Sequence, residues 1–199
     1  IQLLSNKTNH TIKEIRKQIY FTSLDCSFAR TGGCIVYLDK DEVASALTHI
    51  DINDIISEKY FDIKKAQLID ESHKLYNFQK PSPVTEETTF ADFIKTNPMA
   101  KSACLKECIA DKKFHELSRK FREEIVGVDG ATIIDNDGTI IAIGAIVQIE
   151  AGSSGGGRLA ATKTLAKYGV AIKISADGIM QAFIKDKKAN QIKPIFTVG

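Results

Sequence analysis

The chain has 199 residues, a length that fits one domain or one domain with an insertion. Hydrophobic residues make up 43% and charged residues 26%, which excludes a disordered chain, a collagen-like repeat or a coiled coil as the overall description. The 27 basic and 25 acidic residues nearly balance, so no overall field attracts nucleic acid or an anionic membrane. Recognition of a phosphate therefore requires a local site.

No apolar run reaches the roughly 18 to 20 residues that span a bilayer, and the N-terminus lacks the pattern of a signal peptide. We therefore expect a cytoplasmic protein with no membrane segment. Because the chain begins at Ile1 and residues 194–199 still have the pattern of a strand, we also expect one domain of a longer protein, with an effector domain fused to it.

The four cysteines do not suggest the framework of a disulfide-rich secreted domain. Cys104 and Cys108 are four residues apart on a predicted helix, with His115 following, and this spacing alone is weak evidence for zinc. We expect ordinary reduced thiols, in the core or on the surface.

The N-terminal part predicts a helix followed by a buried strand. Ile12, Ile15 and Ile19 recur at mostly helical intervals between basic residues, so residues 11–28 predict an amphipathic helix. A glycine pair then precedes residues 34–38, a continuous apolar run rich in β-branched side chains, which is typical of a strand buried on both faces.

The middle of the chain is mixed. Short helices are predicted over residues 42–48 and 54–63, and a loop is predicted around Pro81 and Pro83. Helical character returns over residues 89–121. We interpret the region from about 50 to 115 as an inserted helical elaboration of a core formed by about 10–48 and 117–199.

The C-terminal part predicts a sheet. Its β-rich segments are residues 125–134, 139–149, 169–175, 179–184 and 192–198. The turn at 135–138, Asp-Asn-Asp-Gly, is a strong hairpin signal, and one helix, about 157–168, interrupts the strands. The fold class is therefore α/β: a single domain with a central mixed β-sheet and helices on both faces.

A glycine-rich segment, residues 152–162, connects a predicted strand to a predicted helix. Four of its first six residues are glycine, and Arg158 lies where the helix begins. Glycines expose backbone N–H groups, and a helix N-terminus carries partial positive charge, so the segment suits a phosphate. A flexible connection with no ligand is an equally good interpretation of the loop alone.

Two Asp-Gly turns accompany it. Asp129 and Gly130 precede a buried strand, where a carboxylate can hold a metal or a ribose hydroxyl. Ser175 and Asp177 lie in a turn between two apolar strands. Each motif alone is explained better as an ordinary turn.

Taken in order along the chain, residues 29–36 (ARTGGCIV), 129–134 (DGATII), 152–162 (GSSGGGRLAAT) and 175–178 (SADG) resemble the diadenylate cyclase domain. This nucleotide-binding domain forms the N-terminus of the DNA integrity scanning protein and occurs in cyclases that make cyclic di-AMP. The resemblance covers about 10–38 and 117–185.

The resemblance implies a fold, an activity and a ligand. In the family, two domains face each other, each with one ATP, and each 3′-hydroxyl attacks the other α-phosphate. A divalent metal, Mg²⁺ or Mn²⁺, takes part, and Asp-Gly-Ala lies beside the nucleotide. The resemblance thus implies a homo-oligomer and a ligand that is ATP or a cyclic dinucleotide. It also implies that Asp129 is the catalytic residue if the domain is active.

The glycine loop departs from the family pattern. Where the family has Thr-Arg-His-Arg, this chain has Gly156, Gly157, Arg158 and Leu159, so both family arginines are missing. Loss of a cationic contact in phosphoryl transfer costs on the order of 10² to 10³ in rate. We therefore expect a divergent, sensor-like member with little or no cyclase activity, and an active cyclase is the alternative.

The expected binding site has a base end, a phosphate end and a metal pair. Val147 is expected to wall the adenine, Arg158 and the loop N–H groups to hold phosphate, and Asp129 with Asp177 to hold a metal. The nucleotide-binding set is Asp129, Gly130, Ala131, Val147, Gly155, Gly156, Gly157, Arg158, Thr162 and Ser175. The lysine cluster at 185–188 predicts a solvated turn rather than a nucleic-acid surface.

Overall fold

A computed structural model describes residues 2–74, 84–97, 101–149, 156–186 and 188–199. In this part of the chain the strands are β1 (Gly33–Leu38), β2 (Ala131–Ile134), β3 (Ile140–Ala145), β4 (Gly169–Ile174), β5 (Met180–Asp186) and β6 (Gln191–Val198). The helices are α1 (Gln2–Ala29), α2 (Val43–Leu47), α3 (Glu58–Lys74), α4 (Phe90–Thr96), α5 (Lys101–Ile109), α6 (Arg119–Gly127) and α7 (Gly157–Leu165). None of these described helices is long and apolar enough to cross a membrane.

The six strands form one mixed sheet in the order β3-β2-β1-β4-β5-β6. Strand β1 pairs in parallel with β2, where Ile35 lies opposite Thr132, and antiparallel with β4, where Gly33 lies opposite Ile174. All six residues of β1 are buried. Both faces of this strand lie in the core, and this explains why its sequence is a continuous apolar run rather than an alternation of apolar and polar residues.

Helices cover both faces of the sheet. On the face that carries Cys34 and Val36, the core includes residues of α2, α3, α4 and α7, and the Phe61 ring packs 5.1 Å from that of Phe90. On the opposite face, which carries Ile35, the core includes residues of α1, α5 and α6, among them Ile15. The mixed α/β architecture predicted from the sequence is confirmed.

The region 50–115 takes part in these same cores. It contributes α3, α4 and α5, and its Ile55 forms an isolated antiparallel bridge with Ala142 of β3. The loop predicted around Pro81 and Pro83 lies outside the described residues.

Several predicted boundaries were wrong. Residues 125–127 belong to helix α6, although the β-branched pair Ile125 and Val126 favours a strand. Ser118 caps this helix by accepting the N–H of Phe121 at 3.3 Å, and the apolar pair faces the core as one side of an amphipathic helix. The helix predicted over 54–63 begins at Glu58 and continues to Lys74, and α7 ends at Leu165.

A buried carboxylate connects α3 to the β2–β3 hairpin. Asp135 is 1% exposed, and its Oδ1 accepts the N–H groups of Asp137 and Thr139, both at 2.9 Å. Its Oδ2 accepts the hydroxyl of Tyr60. Burial raises the pKa of Tyr60, so this hydroxyl keeps the proton that it donates. Removing it leaves a buried acceptor unpaired.

We predict that Tyr60→Phe lowers the free energy of unfolding by about 1–3 kcal/mol, the usual loss when a buried acceptor loses its donor. Chemical denaturation measures the change. Tyr20→Phe removes a hydroxyl from a ring that is 44% exposed, and this control should leave stability unchanged. Equal stabilities of the two variants would contradict the structural role of Asp135.

Candidate functional site

The sheet topology brings distant segments to one edge. Because β1 and β2 are parallel, they begin at the same edge, and their antiparallel neighbours β4 and β3 end there. Gly32, the Asp129–Gly130 turn, Ile146 and the turn at 175–178 therefore lie at this edge. These segments are separated by up to about 140 residues in the chain.

Helix α7 begins beside the same edge. Gly156 occupies its N-cap with φ = +83° and, being glycine, has no side chain to cap the first N–H groups. The first turn of a helix carries partial positive charge, and Arg158 adds a full charge there. An anion is the natural partner for such a helix end.

Arg158 lies between Asp129 and the start of β1. Its Nη2 is 3.6 Å from Asp129 Oδ1. A Cβ atom built on Gly32 would lie 2.8 Å from Arg158 Nη1 and 3.6 Å from the backbone nitrogen of Ala176. Gly32 has φ = +70°, a conformation that favours glycine, and the guanidinium lies in the space beside it.

A cavity of about 320 Å³ opens next to this guanidinium. That volume is within the range of small-molecule sites. Its lining is mainly apolar, with the charged pair among it: Cys34, Asp129, Gly130, Ala145, Ile146, Val147, Ile149, Gly157, Arg158 and Ala161. Burial raises the pKa of the Cys34 thiol to about 11, so at neutral pH this residue is an apolar wall rather than a nucleophile.

The outer wall of the cavity is held by the segment that follows β1. The carboxylate of Asp54 accepts the N–H of Ile146 at 3.0 Å, and Ile50 forms an antiparallel bridge with Val147. The exposed side chains of Ile146 and Ile149 then remain at the cavity mouth, 61% and 46% exposed. Apolar side chains left in solvent beside a cavity favour a ligand or partner surface there.

The backbone structure requires glycine at position 130, independently of any ligand. Gly130 has φ = +109°, and a Cβ built on it would lie 2.3 Å from the carbonyl carbon of Gly144 in β3. The turn before β2 therefore needs glycine so that the two strands can approach, whether or not a ligand is bound.

Some predicted site residues lie behind the cavity wall. Ala131 and Thr162 are completely buried, and the Thr162 hydroxyl donates to the carbonyl of Arg158 at 2.7 Å while lying 3.4 Å from Cys34 Sγ. They support the wall from inside. Gly155 lies outside the described residues.

Ser175 and Asp177 form the turn between β4 and β5. The Ser175 hydroxyl accepts Lys173 Nζ at 2.6 Å, and Asp177 Oδ1 accepts the N–H of Ile179 at 3.1 Å. Neither of these two described side chains lines the cavity. Their contacts explain the turn without a ligand.

The expected metal pair fits a divalent cation poorly. Asp129 faces the guanidinium of Arg158, and one oxygen of Asp177 is engaged by its own turn. Within the described ranges, no group of three or more His, Cys, Asp or Glu side chains could hold a metal ion. A cation at Asp129 would also meet the fixed charge of Arg158.

The sequence missed several residues of the cavity. Cys34, Ile146 and Ile149 line it, and Gly32 makes room for the guanidinium. Gly32 and Cys34 belong to the first motif of the resemblance, so their place in that motif was the available signal. Nothing local in the sequence identified the two isoleucines.

Comparisons with known proteins add no assignment to this geometry. No protein-family model matches the sequence, and no curated protein matches it. The site is therefore interpreted from its own residues.

We predict that Gly130→Ala lowers the free energy of unfolding by about 1–3 kcal/mol more than Gly156→Ala does. Both glycines have positive φ in conformations that L side chains rarely adopt, so both variants carry backbone strain of about 1–3 kcal/mol. A Cβ at Gly130 also strikes β3, whereas nothing lies within 4 Å of one at Gly156. Chemical denaturation measures the difference, and equal losses would show that the strand contact is not restrictive.

Proposed function

We propose that this domain is a nucleotide-binding sensor that resembles diadenylate cyclases and binds an adenine nucleotide or a cyclic dinucleotide with little or no turnover. One observation carries the proposal: an apolar cavity has, at its mouth, an arginine in the first turn of a helix. This combination suits a ligand with a flat apolar end and an anionic end.

In this proposal the two ends of the ligand have different partners. The base lies against Val147 and Ile149, and Gly130 forms part of the cavity wall beside the ribose. The phosphates take the N–H groups of the first α7 turn together with the guanidinium of Arg158, which is 38% exposed and so within reach. Charge-assisted hydrogen bonds of this kind are stronger than neutral ones.

The resemblance to the diadenylate cyclase domain remains part of the proposal. The four motifs that carry it come from distant parts of the chain, and the described parts of their segments lie at or beside one edge of a mixed sheet. This convergence supports an architecture like that of the family domain. We further propose that the domain is cytoplasmic, forms a homo-oligomer and signals to a fused effector domain.

The electrostatics favour a sensor over an enzyme. Phosphoryl transfer depends on positive charge at the transferring group. At the cavity mouth the lining supplies one guanidinium, Arg158, and this already faces Asp129. The chain thus keeps groups suited to binding one phosphate and has fewer for stabilising a transition state.

We predict that ATP or cyclic di-AMP raises the Tm of the domain and that Arg158→Ala removes most of this shift. A ligand at about 100 times its Kd adds about 2.7 kcal/mol, which corresponds to roughly 5–10 °C in Tm for a chain of this length. Lys163→Ala is the matched control, because it removes a positive charge from an exposed position of α7 outside the cavity lining. The same loss in both variants would contradict a phosphate contact by Arg158.

An active diadenylate cyclase is the second candidate, favoured by the complete Asp129, Gly130, Ala131 match. Incubation with ATP and Mg²⁺ or Mn²⁺, followed by mass spectrometry, separates the candidates. The sensor predicts no cyclic di-AMP. Product that rises steeply with protein concentration and disappears in Asp129→Asn would overturn the sensor in favour of the enzyme, and the absence of any thermal shift would exclude both.

A further inference from the structure

The guanidinium proposed to bind phosphate already has an anionic partner within the chain. Asp129 Oδ1 lies 3.6 Å from Arg158 Nη2, and the Asp129 side chain is 91% exposed. Asp129 follows α6 in a short bend, whereas Arg158 belongs to α7, so the pair joins two separate segments at the cavity mouth. Nη1 of the same guanidinium lies 2.8 Å from the position that a Cβ atom on Gly32 would take.

We infer that Asp129 is an internal substitute for the phosphate of the ligand. In the free domain it holds Arg158 at the cavity mouth, and it releases the guanidinium when a phosphate arrives, so recognition needs no divalent cation. The inference rests on the proposed function and deepens it: the ligand is recognised as a free phosphate or polyphosphate rather than as a metal complex.

The chemistry of the two anions supports this exchange. Carboxylate and phosphate both accept hydrogen bonds from a guanidinium, so one can replace the other with the same donor geometry. An exposed ion pair contributes little net stability, and breaking it therefore costs little. The phosphate gains more than the carboxylate does, because it also reaches the N–H groups at the start of α7.

A metal role for Asp129 makes the opposite prediction. If its carboxylate ligated a cation that carries the phosphates, its removal would weaken binding. If it competes with the phosphate for Arg158, its removal strengthens binding. The sign of one mutational effect therefore decides between the two roles.

The test is calorimetric titration of ATP into the domain, in EDTA and in Mg²⁺. Wild-type protein should bind ATP in EDTA with an affinity within about twofold of that in Mg²⁺. Asp129→Asn should bind ATP about two- to fivefold more tightly in EDTA and in Mg²⁺ alike, the size expected for relief of an exposed ion pair. Asp177→Asn makes the same change of charge at the neighbouring turn, where the Asp177 carboxylate accepts the N–H of Ile179, and should have less effect.

Each other outcome overturns the inference in its own way. Weaker binding by Asp129→Asn in Mg²⁺, or binding by the wild type only with Mg²⁺, assigns Asp129 to a metal. If both Asn variants bind ATP more tightly by the same factor, the gain comes from the change in net charge and not from release of Arg158. If neither the wild type nor either Asn variant binds ATP in either buffer, the proposed function itself is wrong. Thermal melts that show each variant to be folded distinguish this result from a folding defect.

Discussion

The placement of strand β1 is the constraint on which the rest of the structure depends. It pairs in parallel with β2 on one side and antiparallel with β4 on the other, and all its residues are buried. Close backbone packing supports this placement: a Cβ on Gly33 would lie 2.8 Å from Val126, and one on Gly169 would lie 2.2 Å from the carbonyl oxygen of Tyr37. A side chain at either position would push a neighbouring segment away. One edge of the sheet therefore collects the starts of β1 and β2 and the ends of β3 and β4.

The candidate site follows from that edge and from α7. The helix packs on the sheet face that carries Cys34, so its first turn reaches the cavity. Lys167 and Tyr168, just beyond its last turn, line a second cavity of about 390 Å³ together with Asp39. His49 contacts both regions, since Nδ1 lies 3.0 Å from the carbonyl of Gln148 and Nε2 lies 2.9 Å from the Tyr168 hydroxyl. The two cavities thus lie at opposite ends of α7, and Arg158 lines the first.

The sequence predicted the elements well where the pattern was local. The helix at 11–28, the buried strand at 34–38 and the hairpin turn at 135–138 each have a signal in adjacent residues, and the structure contains all three. It misassigned 125–127, because a short apolar run of β-branched residues suits a strand or the buried side of a helix equally. The cap at Ser118 and the burial of Ile125 and Val126 on one side of α6 both favour the helix.

The site was harder to predict, because pairing between distant strands creates it. The contact of Arg158 with Asp129 depends on where α7 lies over the sheet, and the role of Ile146 depends on the hydrogen bond that its N–H makes to Asp54. Neither is encoded within one segment. The need for glycine at position 130 came from the approach of Gly144, a contact across strands that sequence spacing does not reveal.

The most direct test of the account is to titrate ¹⁵N-labelled protein with ATP and follow the backbone amide signals. A nucleotide in the proposed site should shift the amides of Gly32, Gly130, Gly157 and Arg158, and leave those around Asp39 and Tyr168 unchanged. Shifts confined to Asp39, Lys167 and Tyr168 would place the ligand in the second cavity, and a spectrum that ATP does not change would contradict nucleotide binding.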